Sequence, residues 1–517
     1  MDYEKYQISD PPTRDVSMRG KLNASDVERG LVKPYSVSSV YTRKKAGIIR
    51  GVTVVGGTRS GRGTILRTLI FVFLATFLWL QLHVISLTGR NLPSQSSINE
   101  SLYALVPKQY HRFLKDRRNS TAQQGTNNTH GSFDDLDLIE IQRYIQRANN
   151  EQKILNDDAF APLSQDSPII IIQVHSRLTY LRHLIVSLAQ AKDIERVLLV
   201  FSHDVWSPDI NYLIQSVNFC RVMQIFYPYS IQTHPYTFPG EDPNDCPRNI
   251  DKQQAMTLKC INAHHPDLYG HYREAKFTQT KHHWWWKANR VFDQLTITRN
   301  HTGMVLFLEE DHYVAEDFLH VLQLMERTSK HSCERCNVLS LGTYLKTYNY
   351  YADSRKAEVI PWISSKHNMG MAFNRITWNK LRKCAAQFCS YDDYNWDWSL
   401  QYVAQTCLPP SVGAGAAPRV DSGLIAMVMR APRVFHIGEC GIHHKKNNCE
   451  STAVIAKVQN VLKSARVHMF PQQLTLTIGG VIKKTKLKKG NGGWGDLRDH
   501  ELCLNMTINP ILDTTFY

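Results

Sequence analysis

The sequence predicts an α/β domain built on a mostly parallel sheet and tethered behind one membrane-spanning segment. Three observations carry this: short apolar runs alternating with helical patterns from about residue 165 onward, one charge-free apolar stretch at 68–87, and a polar tract between the two. Apolar strands separated by helical segments are the pattern of βαβ units, whose strands are buried on both faces and read as continuous hydrophobic runs. With 517 residues, 43% hydrophobic and 21% charged, the chain has material for one large domain or two modest ones, and disorder throughout is excluded.

The stretch at 68–87, TLIFVFLATFLWLQLHVISL, matches the length needed to cross a bilayer. It begins too far from the N-terminus for a cleaved signal peptide and is followed by Thr88, Gly89 and Arg90, so an uncleaved signal anchor is expected. Residues 1–67 carry 13 Lys or Arg against 6 Asp or Glu, which predicts a cytoplasmic tail and a lumenal remainder. About half of the chain's net charge of +15 belongs to that tail, where anionic lipid is the simpler partner, and nucleic acid is not expected. All eleven cysteines follow the span, from Cys220 to Cys503, which favours disulfides in an oxidising lumen; the sequons at Asn99, Asn119, Asn127, Asn300 and Asn505 lie on the same side. Residues 88–164, polar apart from a helical patch near 136–145, read as a stem, and the catalytic-size domain is expected at 165–517.

Within that domain the expected order is strand 168–177, helix 180–190, strand 196–204, a helix from Pro208, and strand 222–228. Ligands of open α/β sheets lie beyond the carboxyl ends of strands, which places His175, Arg177 and Asp204 where a nucleotide would bind. Neither GxGxxG nor GxxxxGK[ST] occurs there, which argues against a dinucleotide oxidoreductase or a phosphate-loop kinase. The run Met304 to Leu308 ends in Glu309, Glu310 and Asp311 before a helix expected near Ala315. Carboxylates crowded at a strand end need a neutralising cation, and a hard divalent metal on a diphosphate supplies one; an acidic helix N-terminus would account for the same residues. His436 closes another apolar strand and is a second candidate ligand.

The segment YDDYNWDWSLQY sets Asp392, Asp393 and Asp397 among tyrosines and tryptophans, the mixture a sugar site uses, although a helix N-terminus with Trp in the core has the same composition. In QTKHHWWWK, three consecutive Trp cannot share one helix face, so at least one is expected to line a cleft or interface, with Lys281, His282 and His283 placed to meet a base or phosphate. Cys333 and Cys336 in CERC fit a tight disulfide better than zinc.

Taken together, QVHSR at 173–177, FSHD at 201–204, GHYREAKFTQTKHHWWWK at 270–287, LFLEEDHY at 306–313, YDDYNWDWSLQY at 391–402 and NGGWGDLRDHELC at 491–503 resemble the N-acetylglucosaminyltransferase II family of alpha-1,6-mannosyl-glycoprotein 2-beta-N-acetylglucosaminyltransferases. The resemblance covers nearly all of 167–503 and leaves the tail and stem aside. It implies a GT-A glycosyltransferase fold (a Rossmann-like mixed sheet flanked by helices), Golgi residence as a type II protein, UDP-GlcNAc as donor, a mannose-terminated N-glycan as acceptor, and Mn²⁺. It also implies inversion by single displacement. Asp311 and His436 match the family's metal ligands, Asp397 its general base, and Gln173, Val174, His175, Ser176, Arg177, Asp204, Gln279, Thr280, Lys281, His282 and His283 its nucleotide-sugar site. The implied disulfides are Cys246–Cys260, Cys333–Cys336, Cys384–Cys407, Cys389–Cys503 and Cys440–Cys449, with Cys220 free. Two departures stand out: Ser176 replaces the asparagine of a QVHNR-like motif, and a Gly/Ala/Pro-rich insertion is expected at roughly 409–429. A related transferase acting on the other mannose arm and a catalytically silent, membrane-anchored glycan-binding protein remain as competing readings, and a homodimer as an open expectation.

Overall fold

The computed structural model describes residues 76, 103, 106–115, 137–345, 347–408, 423–438, 452–479 and 490–508. The expected tail, all of the expected span but residue 76, the Cys440–Cys449 pair and about half of the stem lie outside them. Among the described residues no helix is long and apolar enough to cross a membrane.

The strands are β1 (Ile154–Leu155), β2 (Ile169–Val174), β3 (Leu198–His203), β4 (Arg221–Phe226), β5 (Val305–Glu309), β6 (His312–Val314), β7 (Val338–Ser340), β8 (Lys356–Pro361), β9 (Met371–Phe373), β10 (Ile425–Met429), β11 (Val434–His436) and β12 (Thr475–Ile478). Ten form one sheet in the order β1-β4-β3-β2-β5-β9-β7-β10-β8-β12, while β11 and β6 make a separate antiparallel ribbon. Strands β4, β3, β2 and β5 run parallel, as their apolar runs predict. Beyond β5 the sheet is mixed: β9 is antiparallel to both β5 and β7, and β8 is antiparallel to β10. The helices used below are α1 (Leu138–Glu151), α2 (Leu178–Ala189), α3 (Pro208–Gln215), α4 (Ala275–Asn289), α5 (Phe318–Ser332), α6 (Trp396–Thr406) and α7 (Leu497–Ile508).

The isoleucine run of β2 shows why this sheet is central. Successive strand side chains point to opposite faces, and both faces here are apolar: Ile170 and Ile172 enter one core cluster with Leu184 and Phe201, while Ile169 and Ile171 enter another with Val200 and Trp284.

Three expectations are corrected. The domain does not start at 165: α1 packs on β4, Asn149 exchanges two hydrogen bonds with the Phe226 backbone at 2.7 and 2.9 Å, and β1 pairs with β4. Residues 108–114 also pack on the domain, with Phe113 buried and its carbonyl accepting from Arg182 at 3.3 Å. The insertion at 409–429 does not reach Met429, because Ile425–Met429 is β10, a fully buried strand between β7 and β8. The helix expected near Ala315 begins at Phe318, after the short strand β6.

Among the described residues four disulfides are formed, Cys246–Cys260, Cys333–Cys336, Cys384–Cys407 and Cys389–Cys503, and Cys220 is buried and free.

Candidate functional site

The carboxyl ends of β2, β3 and β5 form the floor of the site. The Glu310 N–H donates to the Gln173 carbonyl at 3.0 Å, so the chain leaving β5 stays beside β2 before turning into β6. β6 pairs with β11 so that His312 faces His436. That register sets His436 Nε2 3.2 Å from Asp311 Oδ2, and the Ile437 N–H donates to the Asp311 carbonyl at 2.8 Å. A Cβ on Gly438 would come 2.3 Å from Asp311 Oδ2, so only glycine lets the chain pass that close.

Asp311 is buried, and burial alone would raise its pKa; the His436 hydrogen bond and the Arg177 charge outweigh it and hold the carboxyl well below the usual range. His436 is shifted the other way, its burial opposed by Asp311, which raises its pKa. Asp311 Oδ1 is buried without a hydrogen-bond partner among the described residues. An orphaned carboxylate oxygen beside an imidazole nitrogen fits a divalent cation with positions left for phosphate oxygens.

Ligand atoms of Glu309, Asp311 and His312 also lie within 4.8 Å of one another. His312 is the weaker member of that group. Its Nδ1 accepts the Glu309 N–H at 3.1 Å and burial lowers its pKa to about 3, so the neutral ring carries its hydrogen on Nε2 and offers no free lone pair.

Glu310 organises the donor-side loop. It accepts from the His175 N–H at 2.7 Å and from Arg177 Nε at 2.6 Å, while Arg177 Nη1 reaches Asp311 Oδ2 at 2.7 Å. His175 Nδ1 lies 2.6 Å from Asp204 Oδ1, and Gln279 donates to Asp204 Oδ2 at 3.1 Å. Burial opposes ionisation of Asp204, but the hydrogen bonds with His175 and His283 dominate and depress its pKa. Gln173 accepts from the buried Lys287 ammonium at 2.6 Å. His175, Arg177, Asp204, Gln279 and His283 therefore form one contiguous network, with Ser176 exposed at its edge and Thr280 half-buried on α4.

The other residues expected here are used differently. Val174 points into the core, leaving only its backbone, whose carbonyl accepts from the Asp204 N–H. Lys281 is fully buried, donating to the carbonyls of Tyr391 and Asp393 at 3.0 Å over the face of Trp494. His282 bonds Asp499 on α7 at 2.8 Å, which Arg273 also holds. Neither side chain is free to meet a base or phosphate. Against the expectation that one tryptophan lines a cleft, Trp284, Trp285 and Trp286 are all buried. Trp284 stacks on Trp396 at 4.5 Å, Trp285 on Phe388 at 4.2 Å, and Trp286 meets Tyr227 edge-on. A helix enclosed on every side can bury three consecutive rings.

Of the three acids in YDDYNWDW, two hold loops together. Asp393 accepts from the backbone and side-chain amides of Asn395 and Asn491, and Asp392 from the Leu268 and Trp494 N–H groups. Asp397, in the first turn of α6, is only half-buried by exposed area yet enclosed enough that burial, reinforced by Asp393, raises its pKa to about 7. Its Oδ1 accepts from the Trp398 N–H at 3.0 Å and its Oδ2 from Asn368 at 3.1 Å. The phenol of Tyr344, about half exposed, lies within electrostatic reach of Glu309, Asp397 and Asp311, and its pKa is raised. Tyr344 and Asn368 were not singled out in the sequence; both sit in connections without a recognisable motif.

The N-acetylglucosaminyltransferase II family model matches residues 142–503. The rat protein named alpha-1,6-mannosyl-glycoprotein 2-beta-N-acetylglucosaminyltransferase is 46% identical over 361 residues, covering 69% of this chain and 78% of its own. The human protein of that name is 46% identical with 69% and 77% covered, and the Arabidopsis thaliana one 32% with 68% and 77%. Among solved structures, S. aureus TarS 1-349 aligns with a TM-score of 0.26 at 9% identity, covering 57% of this chain and 65% of its own, a likeness too slight to argue from. With a family model spanning most of the chain and relatives 46% identical over two thirds of it, the chain belongs to the N-acetylglucosaminyltransferase II family of glycosyltransferases.

Proposed function

We propose that this glycosyltransferase moves N-acetylglucosamine from UDP-GlcNAc onto the 2-hydroxyl of the alpha-1,6-arm mannose of an N-glycan, in beta linkage, by a GT-A inverting displacement. The observation that supports the reading most is the meeting of Asp311 and His436 at 3.2 Å, with one Asp311 carboxylate oxygen unpartnered among the described residues; Asp397 lies within electrostatic reach of Glu309, which precedes that pair at the end of β5. Asp311 and His436 are the residues that would hold Mn²⁺. A divalent cation bound there supplies Lewis-acid stabilisation of the charge that builds on the leaving diphosphate.

The protein's own groups do the rest. Arg177, fixed by Glu310, keeps a positive charge beside the acids at the strand end. The network of His175, Asp204, Gln279 and His283 presents a rigid polar wall for the nucleotide. Asp397 takes the proton of the attacking hydroxyl; a positioned base of this kind typically contributes about 10² to 10⁴-fold, most effectively when its pKa lies near the working pH. Attack from the face opposite the leaving group inverts the anomeric centre. The apolar stretch at 68–87 and the cysteines placed after it support a Golgi type II protein with a lumenal catalytic unit.

The test is incubation of the purified enzyme with UDP-GlcNAc, Mn²⁺ and a mannose-terminated biantennary glycan already bearing one GlcNAc. A beta-1,2 product on the alpha-1,6 arm supports the reading. Transfer to the alpha-1,3 arm favours the related transferase, and glycan binding without turnover favours a silent lectin-like protein.

A further inference from the structure

We propose that Asn368 is a positioning residue for the general base, holding the Asp397 carboxylate in one orientation and favouring its ionised form; this rests on the assignment of Asp397 as that base. The two residues come from different parts of the chain, Asn368 from the turn before β9 and Asp397 from α6. The backbone around Asn368 is fixed on both sides. Before it, Trp362 Nε1 donates to the His367 carbonyl at 3.2 Å, and the Ile363 N–H donates to His367 Nδ1 at 2.9 Å. After it, the Gly342 N–H donates to the Met369 carbonyl at 3.1 Å and the Leu341 N–H to the Gly370 carbonyl at 3.0 Å. Gly370 takes a left-handed φ of +57°, which turns the chain into β9.

From this anchored position the Asn368 amide donates to Asp397 Oδ2 at 3.1 Å, while the Trp398 N–H takes Oδ1 at 3.0 Å. One donor on each oxygen fixes the carboxylate plane. The charged groups acting most strongly on Asp397 are acids: Asp393 from the loop preceding α6 and Glu309 from the end of β5. Tyr344, within electrostatic reach, adds a phenol whose pKa is raised and which is neutral at working pH. Burial and both acids drive a proton onto Asp397, and the hydrogen bonds to its oxygens oppose them, since N–H donors bind a carboxylate more strongly than the neutral acid. Of the two donors, only the Asn368 amide can be removed by substitution.

The experiment measures kcat/KM against pH for the full-length chain purified in detergent, with UDP-GlcNAc, Mn²⁺ and the mannose acceptor, in wild type, Asn368→Ala, Asn368→Ser and Asp397→Asn, alongside thermal unfolding of each. A carboxylate base works when deprotonated, so losing a donor that favours the anion moves the acid limb to higher pH. For Asn368→Ala the expected movement is about one pH unit, which costs roughly ninefold in rate a unit below the wild-type midpoint and almost nothing two units above it. UDP affinity stays unchanged. Asn368→Ser, which keeps a shorter donor, moves the limb by less and supplies the answer if the alanine variant does not fold. A limb that stays in place in whichever folded Asn368 variant is measured, or a rate lowered by one factor at every pH, overturns the inference. If Asp397→Asn keeps the wild-type limb, the base assignment itself falls and this inference with it; if that limb vanishes while Asn368 variants leave it unmoved, only the present inference fails.

Discussion

The bridge between Cys389 and Cys503 ties the middle of α7 to the helix at 385–390, which leads into the loop before Asp397. Both sulfurs are in the core, and the bridge closes a segment of 114 residues. Replacing both cysteines with alanine frees the unfolded chain of that closure without leaving an unpaired thiol. In the chain-entropy description a loop of this length corresponds to about 4.8 kcal/mol at 25 °C. The overlapping bridge Cys384–Cys407 shortens the effective loop only slightly, so the figure stands with both present. Domains of this kind have roughly 5–15 kcal/mol of stability in total, so the variant should be marginal. Denaturant unfolding of residues 92–517, followed by tryptophan fluorescence, reads this directly because Trp284, Trp285 and Trp494 all lie in the affected core. The expected result is an unfolding free energy lower by several kcal/mol, read as a lower midpoint at unchanged slope, with Tm falling accordingly. A loss below about 1 kcal/mol at unchanged slope would refute the loop-closure reasoning and mean that α7 is held by packing and by the Asp499 contacts alone.

Other outcomes follow from the site and its supports. Asp397→Asn should lower kcat by about 10² to 10⁴-fold while UDP binding stays intact, which single-turnover kinetics with a UDP titration will check. Because burial lifts the Asp397 pKa to about 7, wild-type kcat/KM should rise with pH through that value and level off above it; a profile flat from pH 5 to 9 would remove the base assignment. Asp311→Ala should abolish Mn²⁺-dependent UDP binding, measured by calorimetry with and without metal. Arg433 and Asp317 form an ion pair with both side chains fully buried, so Arg433→Met should cost about 3–5 kcal/mol by stranding the carboxylate, and Arg433→Met combined with Asp317→Leu should recover much of that loss in thermal unfolding.

Much of the fold was legible because its signals are local. The Ile169–Ile172 run, the apolar Leu198–Phe201 and the three carboxylates ending β5 announce strands and a strand-end site without reference to the rest of the chain. The fold beyond β5 was less visible. β9, β7 and β11 are three residues each, too short to show a period of two, and β10 lies beside a Gly/Ala/Pro-rich tract that masks it. The domain start was misplaced for a similar reason, since the polar surface of α1 hides the few residues, Ile145 and Asn149 among them, that dock on β4.

The same division runs through the site. Sequence alone specified which groups are available: an aspartate where β5 ends, a histidine where β11 ends, an acid between two tryptophans, and cysteines enough for the bridges. Composition cannot say which of several equivalent groups faces the cleft, because that depends on contacts between residues more than a hundred positions apart. Only the tertiary structure decided that the loop at 491–494 holds Asp392 and Asp393, that the carbonyls of Tyr391 and Asp393 hold Lys281 and Asp499 on α7 holds His282, and that the β6–β11 register brings His436 to Asp311. A side chain's chemistry is fixed by its type, but its role follows from which partner occupies its hydrogen bonds, and that partner is chosen when distant strands and helices pack.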